Sequence, residues 1–401
     1  MERASDDEGS GALPDVVVSI LADPQRRACA VYGHRNTVAA ALGVVAELVD
    51  ALGAGVRSDQ RAPLEWVLWI PQDVERILAV LDRGLAATAS VVDATRVFVD
   101  FAYGVSGDVS ATSEDRGTDA GALVRSADAA LSLALESQRR MAVAQTDTYV
   151  RLEESLDLAV RLTTSSGMDF QQFYQPIVRM ADGVTVGFES LLRWITADGV
   201  LLPGDFLAVA EHTSTIVPIG RNGVTQAVRA LRDSIEPRYG PDAFVSINLS
   251  RQQLVDDTIV DHVVAEIDRY GVGPGQIWIE VQENEVIGFD TDAQRAVERL
   301  HDSGCTISID DLGSGFSALR YVRDLPVDVL KVDRALISAM PDSPSDRAVV
   351  RAFCEMAQTM GIATVAEGVE LSIDFSGVEE LGFQYAQGIY FGAPAPFAPR
   401  D

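Results

Sequence analysis

The stretch TISIDDLG, residues 306–313, is a short apolar run that stops at two adjacent acids, Asp310 and Asp311, and a glycine. A run of this length and composition, bounded by turn-forming residues, is typical of a β-strand. Seven further runs of this kind occur in the second half of the chain and alternate with helical segments. They are QFYQPIV from Gln172, VTVGFESLLRW from Val184, FVSINLS from Phe244, IWIEVQE from Ile277, VDVLKVD from Val327, IATVAEGVE from Ile362 and YAQGIYF from Tyr385.

Eight strands that alternate with helices across roughly 230 residues indicate one particular architecture. A (β/α)8 barrel needs eight such strand–helix pairs and takes about 250 residues. We therefore predict an α/β protein whose C-terminal domain is a TIM-like (β/α)8 barrel.

The N-terminal half has a weaker pattern, which predicts a smaller α/β domain. Helical spacing occurs at 38–52, 73–89 and 121–135, β-type runs at 66–70 and 96–103, and a polar loop at 106–120. Residues 136–164 have helical spacing and few breakers, and they end in Ser-Ser-Gly. The predicted limits are a disordered tail at 1–13, the N-terminal domain at 14–136, a helical connector at 137–167 and the barrel at 168–398.

The charge of the chain limits what it can bind. Sixty acidic residues against 32 basic ones give a net charge of -28, which argues against a nucleic-acid polymer or an anionic membrane as partner. A small phosphate ligand would need local help from metal ions, arginines or lysines. The three cysteines have spacings that suit neither a zinc site nor a disulfide framework, and no run of about 18 uncharged apolar residues occurs. We expect a reduced, cytoplasmic protein.

Most of the barrel runs stop at a polar side chain that can bind metal or phosphate. These side chains are Glu189, Asn248, Glu280, Asp310, Asp311, Lys331, Glu367 and Gln387. In a (β/α)8 barrel the carboxyl ends of the strands meet on one face, where the active site lies. A set of oxygen ligands suits Mg²⁺ or Mn²⁺, and none of the four histidines lies at a strand end.

Asp310 and Asp311 pose a geometric question, because adjacent residues in a continuing strand face opposite sides. Gly313 and Gly315 indicate that the strand turns here, which would bring both carboxylates into the pocket. One of them would then bridge two cations about 3.5 to 4 Å apart, an arrangement that activates water and stabilises both oxygens of a displacement at phosphorus.

At these residues the sequence resembles the EAL family of cyclic-di-GMP phosphodiesterases. The resemblance covers roughly residues 172–396 and rests on motifs that occur in the family's order: FYQPIV, ESLLRW, INLS, IEVQE, DDLGSG, LPVDVLKVD, AEGVE and YAQG. It implies hydrolysis of cyclic di-GMP to linear pGpG with Mg²⁺ or Mn²⁺, two ions in each active site. It also implies a homodimer formed through the EAL domain.

The resemblance assigns roles to individual residues. Glu189, Asn248, Glu280 and Asp310 would hold the first metal, and Asp310 and Asp311 the second. Lys331 and Glu367 would orient the attacking water, and Glu283 would anchor the loop that follows its strand. Gln175, Arg193 and Gln387 would contact the substrate, Arg193 by pairing with phosphate. Departures from the family pattern are Ser190 in place of the signature alanine, and Leu312 and Ser314 in the DDFGTG motif.

The N-terminal domain resembles a degenerate GGDEF domain, the cyclase module that often precedes an EAL domain. The resemblance rests on Ala127-Asp128-Ala129-Ala130-Leu131 and on Tyr32-Gly33-His34. Residues 70–74, IPQDV, stand where we place the signature hairpin, and they lack its glycines and paired acids. Cyclase activity is therefore not expected, and we predict a regulatory or structural role.

Other interpretations stay open at the level of sequence. The EAL-like domain would also suit a catalytically silent receptor that binds the dinucleotide and signals through a partner, or a scaffold in which neither binding nor turnover matters. Lys331 would also suit a structural ion pair with Asp333. Asp333 itself is interpreted as a structural residue. Gln175, Arg193 and Gln387 would also suit buried backbone groups. Trp66 and Trp69 are interpreted as core residues.

Overall fold

The computed structural model describes residues 16–72, 74–84, 89–106, 120–137, 139–145, 148–256, 258–282, 292–312 and 325–397. The chain forms two compact units, divided between Asp157 and Leu158. None of the described helices combines the length and the apolar character needed to cross a membrane.

The first unit is a five-stranded sheet with helices and a separate β-hairpin. Its elements are β1 (Val16–Ala22), α1 (Arg27–Tyr32), α2 (His34–Leu52), β2 (Arg57–Ala62), β3 (Glu65–Ile70), α3 (Val74–Gly84), β4 (Ala89–Val92), β5 (Thr95–Phe98), β6 (Phe101–Val105), α4 (Ala120–Glu136), β7 (Met141–Val143) and α5 (Thr148–Thr164). The strand order is β2-β3-β1-β6-β7, and among the described strands β4 pairs only with β5. The division between the units falls inside α5.

Strand β1 lies at the centre of this sheet and is buried along almost its whole length. Its residues are apolar except for Ser19, and a nearly continuous apolar run is typical of a strand covered on both faces. Helix α4 packs closely on the neighbouring β6, because a Cβ on Gly104 would lie 2.1 Å from the carbonyl oxygen of Ala127. Trp66 is buried in the core, as predicted, and Trp69 packs at its edge beneath the guanidinium of Arg57.

The first unit also corrects several predictions. No strand was predicted at Val16–Ala22, and the run at 96–103 is broken into β5 and β6, where the Asp100 side chain accepts a hydrogen bond from the amide of Phe101. The helical connector is correct for Thr148–Thr164 but wrong for Met141–Val143, because β7 pairs with β6. The hairpin between β2 and β3 turns at Pro63 and Leu64, whereas Ile70 is the last residue of β3.

The second unit is an eight-stranded barrel surrounded by helices. Its elements are β8 (Phe170–Arg179), β9 (Thr185–Thr196), β10 (Gly199–Leu201), α6 (Pro203–His212), α7 (Ile216–Ala230), α8 (Glu236–Tyr239), β11 (Phe244–Asn248), α9 (Arg251–Leu254), α10 (Ile259–Tyr270), β12 (Ile277–Gln282), α11 (Asp292–Asp302), β13 (Thr306–Leu312), β14 (Val329–Val332), α12 (Arg334–Ala339), α13 (Pro344–Met360), β15 (Ala363–Ala366), α14 (Ser372–Leu381) and β16 (Tyr385–Gln387). The strand order around the barrel is β9-β11-β12-β13-β14-β15-β16-β8, and β8 closes the ring on β9. All eight predicted runs are confirmed as barrel strands.

The direction of β8 departs from a regular (β/α)8 barrel. It runs antiparallel to both of its neighbours, β9 and β16, while the other neighbouring pairs are parallel. The cause is the short connection 180–184, because a parallel crossover needs about a dozen residues or more. Gly183 has a left-handed φ of 70° in this turn, and Arg179 pairs with Asp182 across it.

The inside of the barrel is filled below its mouth. Ile177, Phe244, Trp278, Val329 and Val365 form a buried cluster there, and the rings of Phe244 and Trp278 stack with centroids 3.6 Å apart. A second, larger cluster packs the outer faces of the strands against the helices. The barrel is therefore a packed core rather than a pore, and its polar side chains are confined to one end.

Candidate active site

The polar residues predicted at the strand ends do meet at one end of the barrel. Alternation along each strand turns every second side chain inward, and the parallel strands end at the same side. Glu189 is an exception to the strand-end rule, because β9 continues for seven residues beyond it, to Thr196. Gln175 on the antiparallel β8 lies opposite Glu189 in register and so joins the same layer.

Lys331 occupies the centre of this layer, with only 1% of its side chain exposed. Its ammonium nitrogen contacts four carboxylates, those of Glu367 at 2.6 Å, Glu280 at 2.9 Å, Asp310 at 3.2 Å and Glu189 at 3.5 Å. The suggested pair with Asp333 is not the arrangement found. Asp333 caps α12 by accepting a hydrogen bond from the amide of Ala335 at 2.8 Å, which confirms it as structural.

Two amide side chains fix the orientation of Glu189. Asn248 donates to its Oε1 at 2.9 Å, and Gln387 donates to its Oε2 at 2.5 Å. Gln387 also donates to Gln175 at 3.0 Å, and Gln175 donates to the backbone carbonyl of Gly392 at 3.1 Å. Gln175 thus satisfies a backbone group, whereas Gln387 acts on the site itself.

The two adjacent aspartates both reach the pocket, and the backbone shows how. Strand β13 has a bulge between Ile309 and Leu312, and Asp311 adopts a left-handed φ of 58°. A bulge places an extra residue in the strand and re-aims its side chains, and aspartate tolerates the left-handed region better than most residues. The described chain therefore bends at Asp311 itself. Gly313, Ser314 and Gly315 lie outside the described residues.

Burial and charge move the pKa values of these groups in different directions. Burial raises the pKa of Glu280 well above its usual value, with further upward pressure from the neighbouring Glu189 and Asp310. Burial and Asp310 likewise raise the pKa of Glu367 well above its usual range. For Glu189, burial also acts upward, but the Lys331 ammonium and the donors Gln387 and Asn248 bring its pKa below the usual value.

Two further groups have shifted pKa values. Burial and the charge of Asp310 raise the pKa of Asp311 to about 6. For Lys331, burial acts downward, but the surrounding carboxylates outweigh it and hold its pKa well above the usual value. The site thus keeps Lys331 charged, while burial favours the neutral forms of Glu280, Glu367 and Asp311.

The donor set fits divalent cations. Two trios of acids have ligand atoms within 4.8 Å of one another, Glu189 with Glu280 and Asp310, and Asp310 with Asp311 and Glu367. Asp310 belongs to both trios, as a bridging ligand between two ions requires. Glu280 Oε1 is buried without a hydrogen-bond donor among the described residues, and Asp310 Oδ1 has the ion pair with Lys331 at 3.2 Å. One ammonium cannot balance five carboxylates, so the cluster can hold a hard metal ion.

The remaining predicted residues lie at the edge of the cluster or outside the described chain. Arg193 follows Glu189 by four residues on the same strand, donates to the Leu192 carbonyl at 2.8 Å and lies over the ring of Phe173. Burial lowers the pKa of its guanidinium. Ser190, the departure from the signature motif, faces away from the acids and donates to Gln172 at 2.8 Å. Glu283 lies outside the described residues.

A cavity of about 600 Å³ opens from the acidic cluster. Sequence reasoning missed the part of its wall that comes from two helices, which includes Pro203 and Leu207 of α6 and Ile216, Ile219 and Gly220 of α7. Apolar residues at helical spacing predict burial but not which surface they face, so the sequence held no signal for this wall.

The family model matches the second unit of the chain. Residues 158–394 match the family model of the EAL domain. One curated relative is the bifunctional diguanylate cyclase/cyclic di-GMP phosphodiesterase MucR of Pseudomonas aeruginosa, 36% identical over 225 residues, which are 56% of this chain and 33% of the relative. Another is the probable cyclic di-GMP phosphodiesterase PdeG of Escherichia coli (strain K12), 27% identical over 252 residues, or 63% and 49% of the two chains. The chain thus spans between a third and a half of the length of these relatives.

Solved structures with the same fold include complexes with a cyclic dinucleotide. The PaMucR phosphodiesterase in complex with c-di-GMP is similar with a TM-score of 0.55 and 32% identity, over 61% of this chain and 98% of that chain. The EAL enzyme Bd1971 in its cAMP- and cyclic-di-GMP-bound form has a TM-score of 0.58 and 25% identity, over 75% and 80%.

Proposed function

The chain belongs to the EAL-domain family, and we propose that it hydrolyses cyclic di-GMP to linear pGpG with the help of two Mg²⁺ or Mn²⁺ ions. The observation that carries this proposal is the sharing of Asp310 between two trios of acids around the single buried ammonium of Lys331. The similarity to a phosphodiesterase solved with c-di-GMP supports the choice of substrate.

The proposed metal ligands follow from the two trios. Glu189, Asn248, Glu280 and Asp310 would hold one cation, with Asp310 and Asp311 at the other. Cations bound there supply positive charge to the phosphodiester and make a water molecule more acidic. Asn248 contributes an amide oxygen to this set if its NH2 group keeps donating to Glu189.

The protein's own groups have defined tasks in the proposed hydrolysis. Glu367, in its ionised form, orients the attacking water and accepts a proton from it, and the oxygen of this water bonds to phosphorus while the bond from phosphorus to the sugar oxygen breaks. The Lys331 ammonium lies 2.6 Å from Glu367 and stabilises the negative charge that builds up on the phosphate. The departing sugar oxygen takes a proton from solvent water and becomes the free hydroxyl of pGpG, and the proton on Glu367 returns to solvent.

Substrate contacts are proposed for the edge of the cluster. Arg193 would pair with a phosphate, and Gln175 and Gln387 would contact the substrate beside Glu189. The cavity of about 600 Å³ has the size of a pocket for a small organic ligand. Glu283 keeps its predicted role as an anchor of the following loop.

The first unit is proposed to be a degenerate GGDEF-like domain with a regulatory or structural role, within the limits 14–136. The turn of its hairpin, at Pro63 and Leu64, contains neither glycine nor acid. The proposal further includes the connector at 137–167, the barrel domain at 168–398, a cytoplasmic location and a homodimer formed through the EAL domain. Light scattering of the purified chain at several concentrations tests the dimer.

The enzymatic proposal is tested by incubating the purified chain with cyclic di-GMP and Mg²⁺ or Mn²⁺ and following pGpG by chromatography. Turnover that chelation with EDTA abolishes supports it. Binding without turnover would instead identify a silent receptor, and neither would leave the scaffold. Glu189→Ala should abolish turnover, while Glu379→Ala, the same change at an exposed acid of α14, should leave the rate unchanged.

A further inference from the structure

Two serines inside the barrel have hydroxyl groups without a hydrogen-bond partner in the part of the chain that the structure describes. Ser246 on β11 and Ser308 on β13 are both fully buried, and neither Oγ has a hydrogen-bond partner among the described residues. Buried hydroxyl groups are hydrogen-bonded in most proteins, so each such exception needs an explanation. No motif or resemblance assigns a role to either serine.

Ser308 lies directly beside a metal-ligand candidate. It is the register partner of Glu280 on the neighbouring strand β12, and paired strands lie about 4.8 Å apart. Alternation turns Ser308 to the same side of β13 as Asp310, which faces the pocket. The side chains of Ser308 and Glu280 therefore project into the barrel from paired positions on neighbouring strands.

Glu280 has an oxygen atom that can accept a hydrogen bond from the Ser308 hydroxyl. Its Oε2 accepts a hydrogen bond from Lys331 at 2.9 Å, whereas its Oε1 is buried and has no donor among the described residues. Within the described residues, a donor without an acceptor and an acceptor without a donor thus belong to paired positions on neighbouring strands. Leaving both unsatisfied is costly, and one hydrogen bond, direct or through an ordered water, would satisfy both.

Ser246 is a buried serine like Ser308, but the carboxylate paired with it already has hydrogen-bond donors for both of its oxygens. It is the register partner of Glu189 across β9 and β11. Both oxygens of Glu189 already accept hydrogen bonds, one from Asn248 and one from Gln387. Ser246 matches Ser308 in residue type, burial and position inside the barrel, but it has no orphaned carboxylate oxygen across the strand pair.

We propose that Ser308 is a positioning residue that holds the Glu280 carboxylate in its metal-binding orientation. The inference rests on the proposed metal-dependent function. An ionised carboxylate has about four acceptor sites, so a hydrogen bond from Ser308 to Oε1 leaves room for a cation on the same group. Partners of this kind fix the rotation of a ligand, and their loss typically weakens metal binding or activity about 10- to 100-fold.

The test measures Mn²⁺ binding to the full chain by isothermal titration calorimetry, without substrate. Ser308→Ala should raise the dissociation constant about tenfold or more. Ser246→Ala, the matched control, should change it by less than about threefold. Ser308→Thr keeps the hydroxyl and should bind Mn²⁺ about as tightly as the natural chain. Thermal unfolding in EDTA verifies that each variant is folded, and Ser308→Cys, a poor donor of similar volume, replaces an alanine variant that does not fold.

Unchanged Mn²⁺ affinity in Ser308→Ala would overturn the inference and leave the phosphodiesterase proposal intact. Equal weakening by Ser246→Ala would also overturn it, because the effect would then belong to the barrel core in general. If the natural chain itself binds no Mn²⁺, the proposed function fails, and the role of Ser308 fails with it. The three results are distinguishable in one set of titrations.

Discussion

The two units of this protein differ in how their buried and half-buried charges are balanced. In the first unit, Asp128 receives both a bidentate contact from Arg61 at 2.9 Å and a hydrogen bond from Ser19 at 2.5 Å. One negative charge meets one positive charge, and the side chains of Arg61 and Asp128 are 35% and 44% exposed. In the second unit, several carboxylates surround the fully buried ammonium of Lys331.

The difference indicates which region is built for function. A half-exposed pair contributes about 0–1 kcal/mol and is complete without any further partner. Burying a charge costs several kcal/mol, and repulsion between neighbouring carboxylates adds to that cost. The barrel site is therefore an arrangement that folding alone would not favour, and the proposed cations would supply the positive charge that it lacks.

The comparison breaks if Lys331 is not what stabilises the acids of the barrel. Lys331→Met removes the only buried cation of the cluster among the described residues and should lower the free energy of unfolding by about 3–5 kcal/mol in EDTA. Mn²⁺ should recover part of that loss. Urea unfolding with and without Mn²⁺ measures both effects. Arg334→Met, at an exposed pair with Glu370, is the control and should change stability by at most about 1 kcal/mol.

A more specific test of the comparison removes one of the neighbouring negative charges in the barrel site. Glu280→Gln keeps the shape and the acceptor for Lys331, and we expect it to raise the free energy of unfolding by about 0.5–2 kcal/mol at pH 8 in EDTA. Because the pKa of Glu280 is raised, its ionisation weakens the fold as pH rises, so the gain should shrink at pH 5. Denaturant unfolding at both pH values tests this, and a loss of stability at pH 8 would contradict it. Glu380→Gln, at an exposed pair with Arg347, is the control.

The pH dependence of metal binding extends the comparison to the second trio. The pKa of Asp311 is about 6, and a cation requires the ionised form, so Mn²⁺ affinity should fall about tenfold for each pH unit below that value. Calorimetry at pH 5, 6, 7 and 8 measures this. Asp311→Asn should bind Mn²⁺ less tightly at pH 8 and vary less with pH. A natural chain whose affinity is constant from pH 8 to 5 would exclude Asp311 as a ligand.

The same raised pKa predicts the sign of the stability change without metal. The unfolded chain ionises Asp311 at its ordinary lower pKa, and the folded chain does so only near 6. Stability from the neutral form is therefore present at low pH and is lost as pH rises through this window. Glu280 and Glu367 act in the same direction.

The smallest effect is expected in the first unit. Arg61→Ala removes the balanced pair with Asp128 and should lower the free energy of unfolding by at most about 1 kcal/mol. Mn²⁺ affinity should be unchanged. A change in metal binding would mean that the two regions are coupled, which the comparison of their charges gives no reason to expect.

The barrel could be predicted from the sequence because each strand is a compact apolar run with clear limits. The direction of β8 was missed, although Ala181-Asp182-Gly183 between the first two runs carries the signal of a tight turn. Eight runs counted alone cannot distinguish a hairpin from a crossover. In the first unit, β1 was missed because seven residues that are apolar except for Ser19 show neither the alternation of a half-buried strand nor the length of a helix.

The site was predictable for a different reason, since its acids and amides stand at fixed places in recognisable motifs. The mechanism that brings Asp311 into the pocket was not. It depends on a bulge and one left-handed residue, which are properties of the folded backbone. The serines beneath the acids were equally invisible, because a hydroxyl becomes informative only when its neighbours and its burial are known.

The stacked rings of Phe244 and Trp278 give the barrel a solid floor, with Ile177, Val329 and Val365 around them. A barrel that is closed at one end takes up and releases its ligands through the same opening at the other end. If the proposed chemistry holds, the opened dinucleotide has to depart along the route by which its cyclic precursor arrived. Accumulating product would then compete with incoming substrate for this opening, so that turnover is inhibited when the product is not removed.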